Sequence, residues 1–197
     1  MKPIVRLIFA LLLVSQILGC AAVVVGGVVA TGVAVHDRRS VGTVIDDGVL
    51  EIQVRDALYQ GDELDGSSRI KINAFNGWVV LAGEVPAESL IELATQRASD
   101  VDGVQRLFNE LVVAERASLG QASNDRWIST RVKASFTAVR DLPGFDPTRV
   151  QVTVARGVVY LQGLVTQAEA DAVIERARTV RGVERVVTMF DIRDDID

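Results

Sequence analysis

The chain repeats itself, and this limits the folds open to it. Asn73-Ala74-Phe75-Asn76-Gly77-Trp78-Val79-Val80-Leu81-Ala82-Gly83 aligns with Thr153-Val154-Ala155-Arg156-Gly157-Val158-Val159-Tyr160-Leu161-Gln162-Gly163 at an offset of 80. Val54-Arg55-Asp56-Ala57-Leu58 aligns with Val132-Lys133-Ala134-Ser135-Phe136 at an offset of 78, and Asp102-Gly103-Val104-Gln105-Arg106 with Arg181-Gly182-Val183-Glu184-Arg185 at 79. Two copies are too few for a solenoid, which takes about three or more. The pattern points to two small domains in tandem.

Each copy has the same grammar. A helix comes first, over about 48–60 and 124–139. Ile70, Ile72 and Ala74 then alternate with Lys71 and Asn73, as Val150, Val152 and Val154 alternate with their neighbours, which is the period of a strand. Asn76-Gly77 and Arg156-Gly157 are two-residue hairpin turns, leading into partner strands Trp78–Ala82 and Val158–Gln162 that Gly83 and Gly163 are expected to close. A second helix opens near Ala87 and near Thr166, where Thr166 and Glu169 have capping-box spacing. Gly103 and Gly182 stand where helix-ending glycines belong, and 104–114 and 183–192 form a last strand. The fold class is α+β: helix, strand, strand, helix, strand, with both helices on one face of a three-stranded sheet. The opposite face carries Trp78, Val80, Val158 and Tyr160, too apolar to face water alone. The two domains, or two protomers, are expected to pack there.

The amino terminus has a different purpose. Lys2 and Arg6 precede an apolar run from Leu7 to Val14, and Ile17-Leu18-Gly19-Cys20 follows, the layout of a secretory signal. The ending resembles the lipobox of bacterial lipoproteins, in which cleavage before the cysteine leaves it acylated. Cys20 is the single cysteine, so no internal disulfide can form. The competing reading is an uncleaved membrane span, since apolar residues continue to Val35, but Gly26, Gly27 and Gly32 interrupt them. Residues 1–19 are thus the signal, and 20–45 an acylated tether whose stretch His36-Asp37-Arg38-Arg39-Ser40 is expected in water. By resemblance to Gram-negative lipoproteins, the absence of Asp after Cys20 favours the outer membrane. Residues 116–123 form a Ser/Gly-containing linker and 193–197 an acidic tail.

Charge divides the copies. The chain carries a formal net −5, which gives no global basic signal for nucleic acid. Residues 46–117 hold 6 Lys/Arg against 14 Asp/Glu, whereas residues 123–197 hold 11 of each. The second copy therefore tolerates an anionic surface better. Its first helix makes the difference local: 124–136 carries Arg126, Arg131 and Lys133 against Asp125, while 46–58 carries Asp46, Asp47, Glu51 and Asp56 against Arg55. At about 100° per residue, Ile128, Val132, Ser135, Phe136 and Val139 gather on one side, and Trp127 falls with Arg131, Ala134 and Ala138 on another. A Trp on that face either enters a lipid headgroup layer beside a phosphate-binding Arg or covers the other domain or a loop of its own.

These features together resemble the BON domain family, with Gly83, Gly103, Gly163 and Gly182 at its structural glycine positions. Two copies behind a lipobox are similar to the dual-BON-domain lipoproteins of the Gram-negative outer membrane, and Asp37-Arg38-Arg39-Ser40-Val41-Gly42-Thr43 with Asp46-Asp47-Gly48 adds to that likeness. The resemblance implies residues 46–115 as BON domain 1 and 124–192 as BON domain 2, in a lipid-anchored protein facing the periplasm. It implies a non-enzymatic role, with binding of anionic phospholipid through the first helix of domain 2 in support of outer-membrane integrity; on that helix the wheel and the charge count pick out Trp127, Arg131, Lys133 and Arg126 as the lipid-binding residues, and no cofactor is expected. The alternative it carries is a protein-interaction module or chaperone serving outer-membrane protein assembly. The side chains agree on catalysis: the single histidine, His36, lies in the tether, no Cys/His spacing suits zinc, and Asp62-Glu63-Leu64-Asp65-Gly66 lacks calcium-loop spacing.

Overall fold

Ser40 starts the first helix by accepting the Thr43 amide hydrogen on its hydroxyl, and α1 then runs Val41–Leu58. In this computed structural model residues 37–64, 66–139 and 142–194 are described. The signal, Cys20, His36 and the last three tail residues lie outside them. After α1 come β1 (Arg69–Phe75), β2 (Trp78–Val85), α2 (Glu88–Ser99) and β3 (Arg106–Val113); the second copy repeats them as α3 (Leu119–Phe136), β4 (Val150–Ala155), β5 (Val158–Val165), α4 (Gln167–Arg178) and β6 (Arg185–Ile192). In each sheet the second strand is central, antiparallel to the first and parallel to the third.

Both leading helices begin earlier than their apolar spacing suggests. Caps decide this: Ser40 for α1 and a Ser118/Gln121 capping box for α3, each satisfying orphan amide groups of the first turn. The first turn of α1 thus uses residues expected in the tether, and that of α3 residues expected in the linker. The Thr166/Glu169 box starts α4 as its spacing requires.

Strand alternation builds the two cores. Val79, Leu81 and Val85 of β2 meet Leu50, Val54 and Leu58 of α1 and Ala94 and Ala98 of α2. Val159, Leu161 and Val165 of β5 meet Ile128, Val132 and Phe136 of α3 and Val173 and Ala177 of α4. Each core lies between one sheet and its two helices. The hairpins turn at Asn76-Gly77 and Arg156-Gly157, with φ of 51° and 74°, and 52° and 75°, the positive pair that matches strand twist.

The glycines behave differently from expectation. Gly83 and Gly163 lie inside β2 and β5, which run on to Val85 and Val165. They admit the neighbouring backbone: a Cβ on Gly83 would sit 2.0 Å from the Arg69 carbonyl oxygen. The helices before Gly103 and Gly182 end at right-handed caps, Asp100 and Thr179. Each glycine is the third residue of a following β-turn, closed by the Val104 amide on the Val101 carbonyl and the Val183 amide on the Val180 carbonyl. Positive φ at that position, 97° and 93°, is what such a turn asks of glycine.

The two domains pack through the outer sheet faces. Val80, Ala82, Ala155, Tyr160 and Met189 form a third buried cluster, with Phe108, Val158 and Val187 against it. A polar seam runs beside it: the Asn73 amide donates to Gln151 (2.6 Å) and Gln162 (3.0 Å), Gln162 donates to the Trp78 carbonyl (3.0 Å), and the Lys71 ammonium to the Val154 carbonyl. Burial lowers the Lys71 pKa, although Asp125 opposes that shift.

Asp37 to Arg39 are not in water. Arg39 pairs with Asp47 (2.6 Å) and Asp37 (2.7 Å) and stacks 4.0 Å over the Phe75 ring. Arg38 instead reaches domain 2 and grips Glu169 at 2.6 and 3.2 Å. Burial alone would raise the Glu169 pKa; Arg38 and the Thr166 amide more than reverse it. Both cores and their junction lie within the described residues from Asp37 onward, which cluster as a compact unit, so that part of the chain carries its own fold.

Burial between the sheets, helped by the charge of Glu110, pushes the Tyr160 phenol up to about 12. A raised phenol opposes ionisation in the packed state. The junction should therefore hold below the ordinary value of 10 and weaken as pH climbs from 10 toward 12. An absorbance titration of the Tyr59→Phe variant is expected to show tyrosinate forming near pH 12; ionisation at the ordinary value would mean an open junction.

Candidate functional site

Helix α3 is held in place by its own acid. Asp125 is 2% exposed; its carboxylate accepts the Gly157 amide hydrogen at 3.1 Å and meets Arg69 at 3.3 Å and Lys71 at 3.8 Å. That acid is turned into the protein, and the cations of the helix, Arg126, Arg131 and Lys133, remain exposed. Ile128, Val132 and Phe136 are fully buried, which fixes the rotation of the helix and turns Trp127 outward.

Trp127 is 44% exposed. The Arg131 guanidinium lies 4.8 Å over its ring, a contact that orders both side chains. One edge of the indole rests on the turn before β6: a Cβ built on Gly182 would stand 4.0 Å from Trp127 Cζ3 and 3.2 Å from Ile128 Cδ1. A groove of about 760 Å³ opens there, bordered by Ser123, Asn124, Trp127, Arg131, Arg181 and Gly182. Arg181 is exposed, so two guanidiniums flank one half-covered indole.

The four residues expected to act together do not share one place. Trp127 and Arg131 meet. Arg126 borders another groove, with Arg55, Lys71, Ser129 and Thr130. Lys133 lies about 120° round the helix from Trp127. Cys20 lies outside the described residues. Arg181 was not among the expected residues, though the repeat held the signal: Asp102 of the first copy is Arg181 in the second.

Residues 46–115 and 124–194 each match the BON domain. The chain belongs to the BON domain family. The outer membrane lipoprotein DolP of Haemophilus influenzae is 33% identical over 98% of this chain and 99% of its own. The 21 kDa hemolysin of Actinobacillus pleuropneumoniae is 38% identical over 78% of each chain. The solved C-terminal domain of CdsD, a structural protein of the Type III secretion system of Chlamydia trachomatis, aligns at 11% identity and a TM-score of 0.30 over 76% of this chain and 97% of its own. That likeness is too slight to carry an argument.

Both BON domains use one device. Asp47 of domain 1, like Asp125 of domain 2, sits one turn before the core residue of its helix and accepts turn amide hydrogens, from Asn76 (2.7 Å) and Gly77 (2.9 Å). The guanidinium differs. Asp47 takes Arg39 from its own flank, whereas Asp125 takes Arg69 from the other domain. In BON domain 2 the clamp that orients α3 thus also ties the domains.

Asp125→Ala removes a buried partner of Arg69 and leaves the Gly157 amide without its acceptor. Breaking a buried pair in this way costs about 3 kcal/mol, so the urea midpoint should fall well below that of the parent. Asp125→Asn keeps an acceptor for Gly157 and should fall less. Equal, negligible losses would show that the clamp is dispensable.

Proposed function

We propose that this protein is a non-enzymatic, lipid-anchored component of the outer membrane, facing the periplasm, that docks BON domain 2 on anionic phospholipid and so helps maintain membrane integrity. The observation that carries the reading is the outward indole of Trp127 stacked under Arg131, with Arg181 across the same groove. An amphipathic ring suits the headgroup layer. A guanidinium presents planar donors to phosphate oxygens. With Asp125 turned inward and paired, the acid of the helix does not oppose approach to the leaflet.

The strength follows from the parts. Each cation near an anionic leaflet contributes about 1 kcal/mol, so a few of them with a partly inserted Trp give weak, reversible docking. In this reading the acyl group on Cys20 keeps the protein at the surface, and the anchor raises the effective concentration of the docking face. BON domain 1 serves another purpose.

The same surface could serve the assembly machinery for outer-membrane proteins, because Trp and Arg are also common interface anchors. Lipid and protein use are separable. The chain from Asp37 onward should bind vesicles containing phosphatidylglycerol and ignore purely zwitterionic ones. Arg181→Glu and Arg131→Glu should each weaken binding about thirtyfold, since reversal removes one attraction of about 1 kcal/mol and adds one repulsion of similar size. Trp127→Ala should weaken it comparably, and salt should weaken the parent. Indifference of the parent to anionic vesicles would overturn the lipid reading.

A further inference from the structure

Duplication placed the same groove on both domains, and the copies have since diverged in sign. In BON domain 1 the groove holds about 460 Å³ and is bordered by Thr43, Asp46, Val49, Gln53, Asp102 and Gln105. The offsets of 78 for the leading helix and 79 for the last turn pair Val49 with Trp127, Gln53 with Arg131 and Asp102 with Arg181. The geometry supports this pairing: Leu50 stands by Gly103 as Ile128 stands by Gly182, with Cδ1 3.6 and 3.2 Å from the Cβ each glycine would carry. Two guanidiniums around an indole in one domain become an amide and a carboxylate around an aliphatic side chain in the other. Asp46 adds a second carboxylate at the rim. Both acids are exposed, and among the described residues neither makes an ion pair.

The groove does not end at Val49. Val41, Ile45, Val49 and Ile52 are 42%, 59%, 47% and 55% exposed. At about 100° per residue they fall within one stripe less than a quarter-turn wide. Tyr59, at the C-cap of α1, extends the line and is 36% exposed, while Asp56 stands within it. Arg55 flanks the stripe about 40° beyond its Val41 edge, on the side away from Asp46, and lines the groove with Lys71 and Arg126. An apolar helix face of this length in water marks an interaction site.

The occupant must match the charge. An anionic leaflet would be repelled by Asp46, Asp56 and Asp102, in a domain that carries 14 acids against 6 bases over 46–117. We propose that the α1 stripe and its groove are a docking surface for a protein partner that presents an amphipathic helix, apolar on one side and flanked by Lys or Arg. This is helix-in-groove recognition, with the rim carboxylates setting sign and approach. BON domain 1 then recruits a basic protein segment, independently of what BON domain 2 binds.

The probe is a fluorescent synthetic helix of Leu and Lys with one apolar face, and its Leu/Glu counterpart, titrated against the chain from Asp37 onward. The Leu/Lys helix is expected to bind and to slow amide exchange in α1; the Leu/Glu helix is expected not to bind. Asp46→Lys combined with Asp102→Lys should weaken binding about tenfold or more, as reversal of rim charge does. Ile45→Ser with Ile52→Ser should weaken it similarly. All four positions are exposed, and circular dichroism checks that the fold is kept. Trp127→Ala should leave the affinity unchanged, which separates this surface from that of domain 2. The proposal is overturned if charge reversal leaves binding intact, if protection maps to α3, or if α1 is protected instead by anionic vesicles or by a second copy of the chain.

Discussion

A carboxylate turned inward from each leading helix organises this protein. Asp47 and Asp125 accept hairpin-turn amide hydrogens, and the guanidiniums that meet them come from outside the immediate helix and turn. A buried carboxylate without such partners would be strongly disfavoured. Where the partners are in place, each helix is locked to its sheet at one rotation. The outward residues follow from that lock: once Asp125, Ile128 and Val132 are committed inward, Trp127 and Arg131 face the solvent. In domain 2 the lock borrows Arg69 from domain 1, and Arg38 returns the tie by gripping Glu169. Two neighbouring arginines, one serving each domain, therefore join the chain's approach segment to both halves.

Duplication supplied one scaffold with two surfaces. The parts that build the scaffold repeat closely: the acid, the hairpin and the glycine turn. The positions around the groove do not. Trp127, Arg131 and Arg181 stand where Val49, Gln53 and Asp102 stand in the first copy. Positions facing the groove bear little on stability, so their chemistry can change sign without loss of fold. The resulting molecule offers phosphate-compatible donors on one domain and a carboxylate-rimmed apolar stripe on the other.

Much of this was legible in the residues. Alternation at Ile70, Ile72 and Ala74 and the Asn76-Gly77 turn specified the hairpin, because period and turn chemistry act locally. The apolar outer face of β2 and β5 announced a covered sheet. Other features needed three dimensions. Asp125 counted as a surface charge in the sequence, and nothing local showed that a turn amide about thirty residues away would draw it inside. Asp37 to Arg39 read as solvated tether because their partners, Asp47, Phe75 and Glu169, are brought near only by folding. Gly83 resembled a strand end, yet it admits the Arg69 carbonyl within a continuous strand. Arg181 was visible only as a charge reversal between copies, whose meaning appeared once the turn was seen beside Trp127.

The central claim is that the Trp127 indole enters the headgroup layer. Of the two tryptophans, Trp78 packs half-buried against Phe108 at 5.9 Å and can be replaced by Phe to leave Trp127 as the emitter. Fluorescence of that variant on anionic vesicles containing brominated phospholipid measures the depth directly. Strong quenching with a blue shift is the predicted result. A vesicle-bound protein whose Trp127 emission is neither quenched nor shifted would contradict the account.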